Sequence, residues 1–296
     1  MMPWLEAFHR PTTIAEALRL MKRGGRRARF VAGATDLLVE ADPAARILVD
    51  VGRLGLAYIK PHRGGWRIGA ATTMAMLEQS EGIRAFAGGI LARAAAASGS
   101  IQIRNRATAG GNLANASPAA DLAPPLLVLD AQVVIAGQKG KRRLPLADFF
   151  KGVCQTALKG DLLMEIILPP LNRAAGRRGG ERSAWSFQKL GRVESDIAIV
   201  NAAAGVGVDA GGRCRWARIA VGAVAPTPLR IAAAESALQG RPLDSESIAL
   251  ACETVCREAR PITDLRASVD YRRQMSGVLV RRALEECLAG TEPPRH

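Results

Sequence analysis

The sequence predicts an α+β chain of two domains, and three observations carry that reading. Its 296 residues are about twice the usual domain length. A polar, glycine-rich stretch without periodicity, residues 172–182, divides it. Before that stretch short strands and helices intermingle; after it two long strands precede three helices. The expected boundaries are 1–175 and 176–296, the first part made of two lobes, about 1–58 and 59–175.

The elements follow in order. Thr12 and Thr13 precede apolar residues at Ile14, Ala17, Leu18 and Met21, a capped amphipathic helix stopped by Gly24 and Gly25. Residues 29–32 read as a strand running into Gly33, Ala34, Thr35 and Asp36, and residues 46–51 as a buried strand. In the second lobe, 66–70 is a strand, Thr73 opens a short helix, and alanine-rich residues 83–98 read as one helix. Residues 104–118, rich in Gly, Asn and Pro, read as a loop before an apolar helix at 122–129. Residues 133–135 and 142–144 pair around Gly137 to Gly140 as a hairpin, and 161–168 is a strand stopped by Pro169 and Pro170. Beyond the divider, 197–208 and 213–223 are strands about an Asp-Ala-Gly-Gly turn. Helices follow at 232–238, 245–257 and 271–288, with a frayed tail expected at 291–296.

Composition narrows the function. Hydrophobic residues are 48% and aromatics 4%, so the cores are aliphatic. The net charge of +14 suits either a solvated basic surface or a polyanionic partner. The basic residues are scattered and not interleaved with aromatics, which disfavours nucleic acid. No apolar run reaches 18 residues, so no transmembrane segment is expected, and no signal peptide is visible. The five cysteines are dispersed and odd in number, which points to a reducing, cytoplasmic setting rather than a disulfide framework. Cys252 and Cys256 share a helix face without completing a metal site.

Two stretches look like anion cradles. In Val31, Ala32, Gly33, Ala34, Thr35, Asp36 and Leu37, a strand enters a glycine turn whose amides can form a nest, with Gly33 free to take positive φ and Thr35 offering a hydroxyl. The alternative is a plain strand-to-helix turn capped by Thr35 or Asp36. In the second, Thr108, Ala109, Gly110, Gly111 and Asn112 expose amides and short donors, with Asn115 and Ser117 nearby. Asp121 follows, suited either to a sugar hydroxyl pair or to capping the next helix. Neither stretch is a P-loop or a GxGxxG fingerprint. His9, His62 and His296 sit in no motif and no carboxylate pair is evident, so no catalytic and no metal-binding residue is assigned. A phosphate-bearing cofactor that does its own chemistry fits that lack.

The residues then resemble a family. VAGATDLL, IGAATTMAML, IQIRNRATAGGNLANASPAADLAPPLL and FQKLGRVESDIAIVNAA, in that order, resemble the FAD-binding medium subunit of the molybdenum hydroxylases, relatives of xanthine, carbon monoxide and aldehyde dehydrogenases. PITDLRASVDYRRQMSGVLVRRAL resembles that family's C-terminal domain, so the likeness spans about residues 3–290. It implies a two-lobed PCMH-type FAD domain followed by an α+β domain of antiparallel strands and helices. It places the FAD pyrophosphate between the two stretches, Asp121 on the adenosine side, and Lys189 or its neighbour Gln188 near the flavin. Ile103 and Arg104 are placed beside the isoalloxazine, and Leu163 is assigned to the same cofactor site.

The resemblance also implies a heterotrimer. This subunit holds FAD non-covalently, a small subunit carries two [2Fe–2S] clusters, a large one carries the molybdenum cofactor, and two such heterotrimers pair. One departure matters: the first motif usually has two glycines, and Ala34 replaces the second. That turn must keep φ negative at Ala34 or bear strain. A cysteine-rich insertion carrying an iron–sulfur cluster is lacking, so none is expected here. A basic non-catalytic binding protein and a free-standing flavin oxidoreductase remain the alternatives.

Overall fold

In the computed structural model residues 4–171 and 181–291 are described. Most of the 172–182 divider and nearly all of the expected frayed tail lie outside them.

The chain opens on a three-stranded parallel sheet, order β1-β3-β2, from β1 (Ala7–His9), β2 (Ala28–Val31) and β3 (Ile47–Asp50). Helix α1 (Ile14–Gly24) joins β1 to β2. Thr13 caps it by accepting a hydrogen bond from the Glu16 amide, as the sequence signals. Helix α2 (Leu37–Glu40) is a single turn after the first glycine stretch.

A five-stranded antiparallel sheet follows, order β4-β5-β10-β6-β7. Its members are β4 (Ile59–His62), β5 (Gly65–Gly69), β6 (Gln132–Gly137), β7 (Gly140–Pro145) and β10 (Leu162–Leu168). Pro61 in β4 is tolerated because β4 is an edge. The short pair β8 (Phe150–Gly152) and β9 (Gln155–Thr156) lies between β7 and β10. The helices before β6 are α3 (Met74–Gln79), α4 (Glu81–Ala85), α5 (Ile90–Ala96), α6 (Ile101–Arg106), α7 (Ala109–Asn115) and α8 (Ala123–Val128). Two expectations are corrected here. Residues 83–98 are not one helix, because Ala87, Gly88 and Gly89 take φ of 51°, 62° and 72° and break it. The stretch 104–118 is not an open loop: Ser100 caps α6 and Thr108 caps α7.

The last unit is a four-stranded antiparallel sheet, order β11-β12-β13-β14, from β11 (Arg182–Leu190), β12 (Val200–Val208), β13 (Cys214–Gly222) and β14 (Leu229–Arg230). Helices α9 (Ala232–Leu238), α10 (Ser245–Glu258) and α11 (Val269–Thr291) complete it. Helix α11 lies on β11 and β12, while α8 packs against β12 and β13. Every residue of β12 is buried. Val200, Ala202, Ala204 and Val206 join the core under the C-terminal helices, whereas Ala203 joins the core of the preceding sheet. A strand covered on both faces reads as a continuous small-apolar run.

Candidate functional site

A cleft of about 1230 Å³ separates the parallel sheet from the β8–β9 region. One wall is the end of α1, the edge strand β2, the first glycine stretch and α2. The other is α7, the β8–β9 hairpin and residues 158–161.

The first stretch is pinned by close packing. A Cβ on Gly33 would stand 2.0 Å from the Arg106 carbonyl oxygen, so the loop presses directly on the end of α6. The left-handed residue is not Gly33 but Ala34, at φ 64°. The strained branch of the sequence expectation is the one taken, at about 1–2 kcal/mol for an L-residue. Asp36 makes no side-chain cap to α2. Partial desolvation pushes its carboxyl up, and a Thr35 hydrogen bond offsets part of that. The amides of residues 33–37 have no hydrogen-bond acceptor among the described residues. All five residues line the cleft, and their open N–H groups are the material of an anion nest.

The second stretch behaves differently, which corrects the expectation of exposed amides. Ala109 N donates to Thr72 O at 2.8 Å and Gly110 N to Ala70 O at 2.8 Å. Gly111 N donates to Thr108 Oγ1 at 3.0 Å and Asn112 N to Thr108 O at 2.9 Å. Gly110 is a packing glycine: its Cβ would stand 2.5 Å from Ala70 Cβ, and Ala109 beside it is fully buried. Gly111 faces the cleft, where a Cβ would meet only Thr108 Oγ1. Thr108, Asn112 and Asn115 also line the cleft, and Asn112 spends its Oδ1 on the Leu122 amide at 3.3 Å. Asn112 therefore turns an amide donor, not an acceptor, to an incoming ligand.

Asp121 neither caps α8 nor lines the cleft. It is 7% exposed, its Oδ2 accepts from Lys189 Nζ at 2.8 Å, and its Oδ1 accepts from Asn201 Nδ2 at 3.0 Å. Burial pushes its carboxyl up, while Lys189, Asn201 and Ser98 pull it back. Lys189 also donates to Ala97 O at 2.7 Å, so this buried pair ties β11 to the chain just after α5. Alternation along β11 separates the two flavin candidates. Lys189 points to the Asp121 side, and Gln188 points to α11, donating to Glu286 Oε2 at 2.8 Å.

The other assigned residues are dispersed. Ile103 is exposed on α6, and Arg104 is engaged by Glu78 at 2.8 Å and Gly99 O at 2.9 Å. Ser117 closes a turn by accepting from the Ala119 amide at 3.3 Å. The Leu163 side chain packs in the core rather than the cleft. Sequence reasoning missed Lys22, Arg26, Lys151, Cys154 and Lys159, which line the cleft from segments without a motif. No local signal marks them.

The arrangement fits FAD. Open amides on one wall face a side-chain-free surface at Gly111 and a donor at Asn112 on the other. That donor set suits a diphosphate. Among the described residues no group of three or more His, Cys, Asp or Glu is placed to hold a metal ion.

Comparison with known proteins agrees. Residues 5–171 match the model of the FAD binding domain in molybdopterin dehydrogenase, and residues 185–287 match the carbon monoxide dehydrogenase flavoprotein C-terminal domain. The chain is 34% identical over 288 residues to the 6-hydroxypseudooxynicotine dehydrogenase complex subunit alpha of Paenarthrobacter nicotinovorans, covering 96% of this chain and 94% of that one. It is 30% identical to the carbon monoxide dehydrogenase medium chain of Hydrogenophaga pseudoflava, covering 98% and 99%. A chain in the solved carbon monoxide dehydrogenase of Hydrogenophaga pseudoflava superposes with a TM-score of 0.90 at 31% identity, covering 99% of this chain and all of that one. With its cleft, its α+β architecture and these full-length likenesses, the chain belongs to the FAD-binding medium subunits of the molybdenum hydroxylases, a family of oxidoreductases.

Proposed function

We propose that the chain binds FAD non-covalently in the cleft and relays electrons within a heterotrimer. In that assembly a small subunit carries [2Fe–2S] clusters and a large one carries the molybdenum cofactor, and two heterotrimers pair. FAD, when bound, supplies the exchange between single electrons from the clusters and the two electrons taken by an external acceptor. The chain's own task is to bind and orient. The amides of residues 33–37 would hold the diphosphate against Gly111, Thr108 and Asn112. The Asp121–Lys189 pair fixes the C-terminal unit against the cofactor-binding one. The observation that carries this reading is the nest of five unpartnered amides facing Gly111 across one cleft.

The proposed division assigns residues 1–175 to FAD and 176–296 to a buttressing domain; an aliphatic core built from residues 199–287 alone supports it, while Phe187, Ala203 and Ala220 extend the core of the first part across the boundary. None of the five cysteines is in a disulfide, which supports a reducing, cytoplasmic setting, with any membrane association made through partners. No helix among the described residues is long and apolar enough to cross a membrane.

The test is the purified chain's absorbance near 450 nm, followed by acid precipitation, with flavin expected in the supernatant. Because Cys154 is exposed and lines the cleft, FAD should also protect it from a maleimide. Co-expression with both partner subunits should yield a complex that oxidises a molybdenum-hydroxylase substrate, which the chain alone should not. A colourless chain that FAD does not protect, or a chain that never co-purifies with iron–sulfur and molybdenum subunits, overturns the reading.

A further inference from the structure

Beyond the two glycine stretches, the cleft carries charges that no ion pair among the described residues explains. Lys22 and Arg26 project from the end of α1 and the turn after it; Lys151 and Lys159 project from the opposite wall. All four are exposed, and none has an ion-pair partner among the described residues. Elsewhere in the cleft charges are matched: Asp42 is held by Arg29 at 3.0 Å, and Asp161 is held by Arg142. Two unpaired carboxylates remain in the lining, Asp36 and Glu40, both beside the first glycine stretch. Four free cations therefore outnumber the free carboxylates, in a chain of net charge +14.

Exposed lysines and arginines without fixed partners make poor anchors, because their side chains lose rotamer freedom on contact and water screens them. They make effective collectors. Like charges set on both walls of a concave, low-dielectric cleft focus field toward its interior and raise the arrival rate of an anion. We infer that Lys22 and Arg26 on one wall, with Lys151 and Lys159 on the other, form an electrostatic entry that captures the dinucleotide's phosphates before the amides of residues 33–37 take them. The inference rests on the FAD reading and adds a division of labour to it. The four cations set how fast FAD arrives, and the nest with Gly111 sets how long it stays. Their place inside a cleft, rather than on a flat face, favours a small polyanion over an acidic protein surface.

The experiment is stopped-flow fluorescence of FAD mixed with the full-length chain stripped of flavin, at rising sodium chloride, with dissociation followed separately by chase. Wild-type association should slow steeply with salt. The variant Lys22→Gln/Arg26→Gln/Lys151→Gln/Lys159→Gln should associate about tenfold more slowly at low ionic strength. Its salt dependence should flatten and its dissociation rate should stay within about twofold of wild type, since rim charges act mainly on association. The pairs Lys22→Gln/Arg26→Gln and Lys151→Gln/Lys159→Gln, each on one wall, should each give part of the loss. Salt-independent wild-type association overturns the inference, as does a variant whose loss lies in dissociation. A variant that takes up FAD at the wild-type rate yet no longer joins its partner subunits assigns the cations to protein docking instead. Failure of the wild-type chain to bind FAD at all overturns the FAD reading itself.

Discussion

The two glycine stretches look alike as sequence and differ as structure. In residues 33–37 the amides are open and the backbone is strained at Ala34. In residues 109–112 the amides are bonded within the protein, the backbone is an ordinary helix capped by Thr108, and Gly111 turns no side chain toward the cleft. One wall thus offers hydrogen bonds and the other offers room. A glycine-rich motif can serve a phosphate by either means, and only the destination of each N–H separates them.

The comparison breaks hardest at Asp121. If the second stretch ends in a structural bolt, Asp121→Ala strands the Lys189 ammonium in a buried site and should cost about 3–5 kcal/mol of folding stability. Adding Lys189→Met should recover much of it. Urea unfolding of both variants, beside FAD titration, measures this; an unchanged unfolding midpoint would return Asp121 to the sugar-contact role.

Next come the paired glycines. Gly110→Val drives side-chain atoms into Ala70 and should cost about 3 kcal/mol of stability. Gly111→Val sets a Cβ 2.8 Å from the Thr108 Oγ1 that caps α7, so it should cost about 1 kcal/mol of stability, less than Gly110→Val, yet abolish FAD binding by filling the cleft. Equal behaviour of the two variants in unfolding and FAD titration would dissolve the distinction.

A smaller effect lies far from both stretches and serves as a control. Burial pushes the Asp264 carboxyl up, but the amides of Arg266 and Ala267 and the Arg272 guanidinium outweigh it and bring its pKa down to about 2. A lowered folded-state pKa means stability that is present above pH 4 and lost as pH falls through about 2. Asp264→Asn should therefore remove about 2 kcal/mol at neutral pH and flatten the acid limb between pH 4 and 2, leaving FAD affinity unchanged. Acid titration followed by circular dichroism decides it.

The smallest effect is at Ala34. Ala34→Gly relieves the left-handed alanine at the cost of a freer unfolded chain, a net gain of about 0.5 kcal/mol. Calorimetry should show a slightly raised Tm. A lowered one would mean that Ala34 makes favourable contacts that outweigh the strain.

Much of this fold was legible. The Thr13 cap, the hairpin at Gly137 to Gly140, the strand before Pro169 and the strands-then-helices order of the C-terminal unit all carry local signals. Strand β11 was hidden because its alternation mixes Trp185 and Phe187 with polar side chains whose partners lie far along the chain, as when the buried Ser186 donates to Glu286 of α11. The break at Ala87 was hidden because alanines beside Gly88 and Gly89 read as helix, and only the fold asks them for positive φ.

For the cofactor site, the sequence by itself determined that two glycine-bearing stretches exist, in which order, and which family's motifs they resemble. Tertiary structure decided the rest. Glycine is the same letter whether the space where its side chain would be is taken by Arg106, by Ala70 or left open to a ligand. Whether an amide is free depends on Thr72 and Ala70, some forty residues away, and whether Asp121 is available depends on Lys189, 68 residues on. Those distances close only when the sheets pack, because hydrogen bonds and ion pairs are set by proximity in space, which spacing along a chain does not encode.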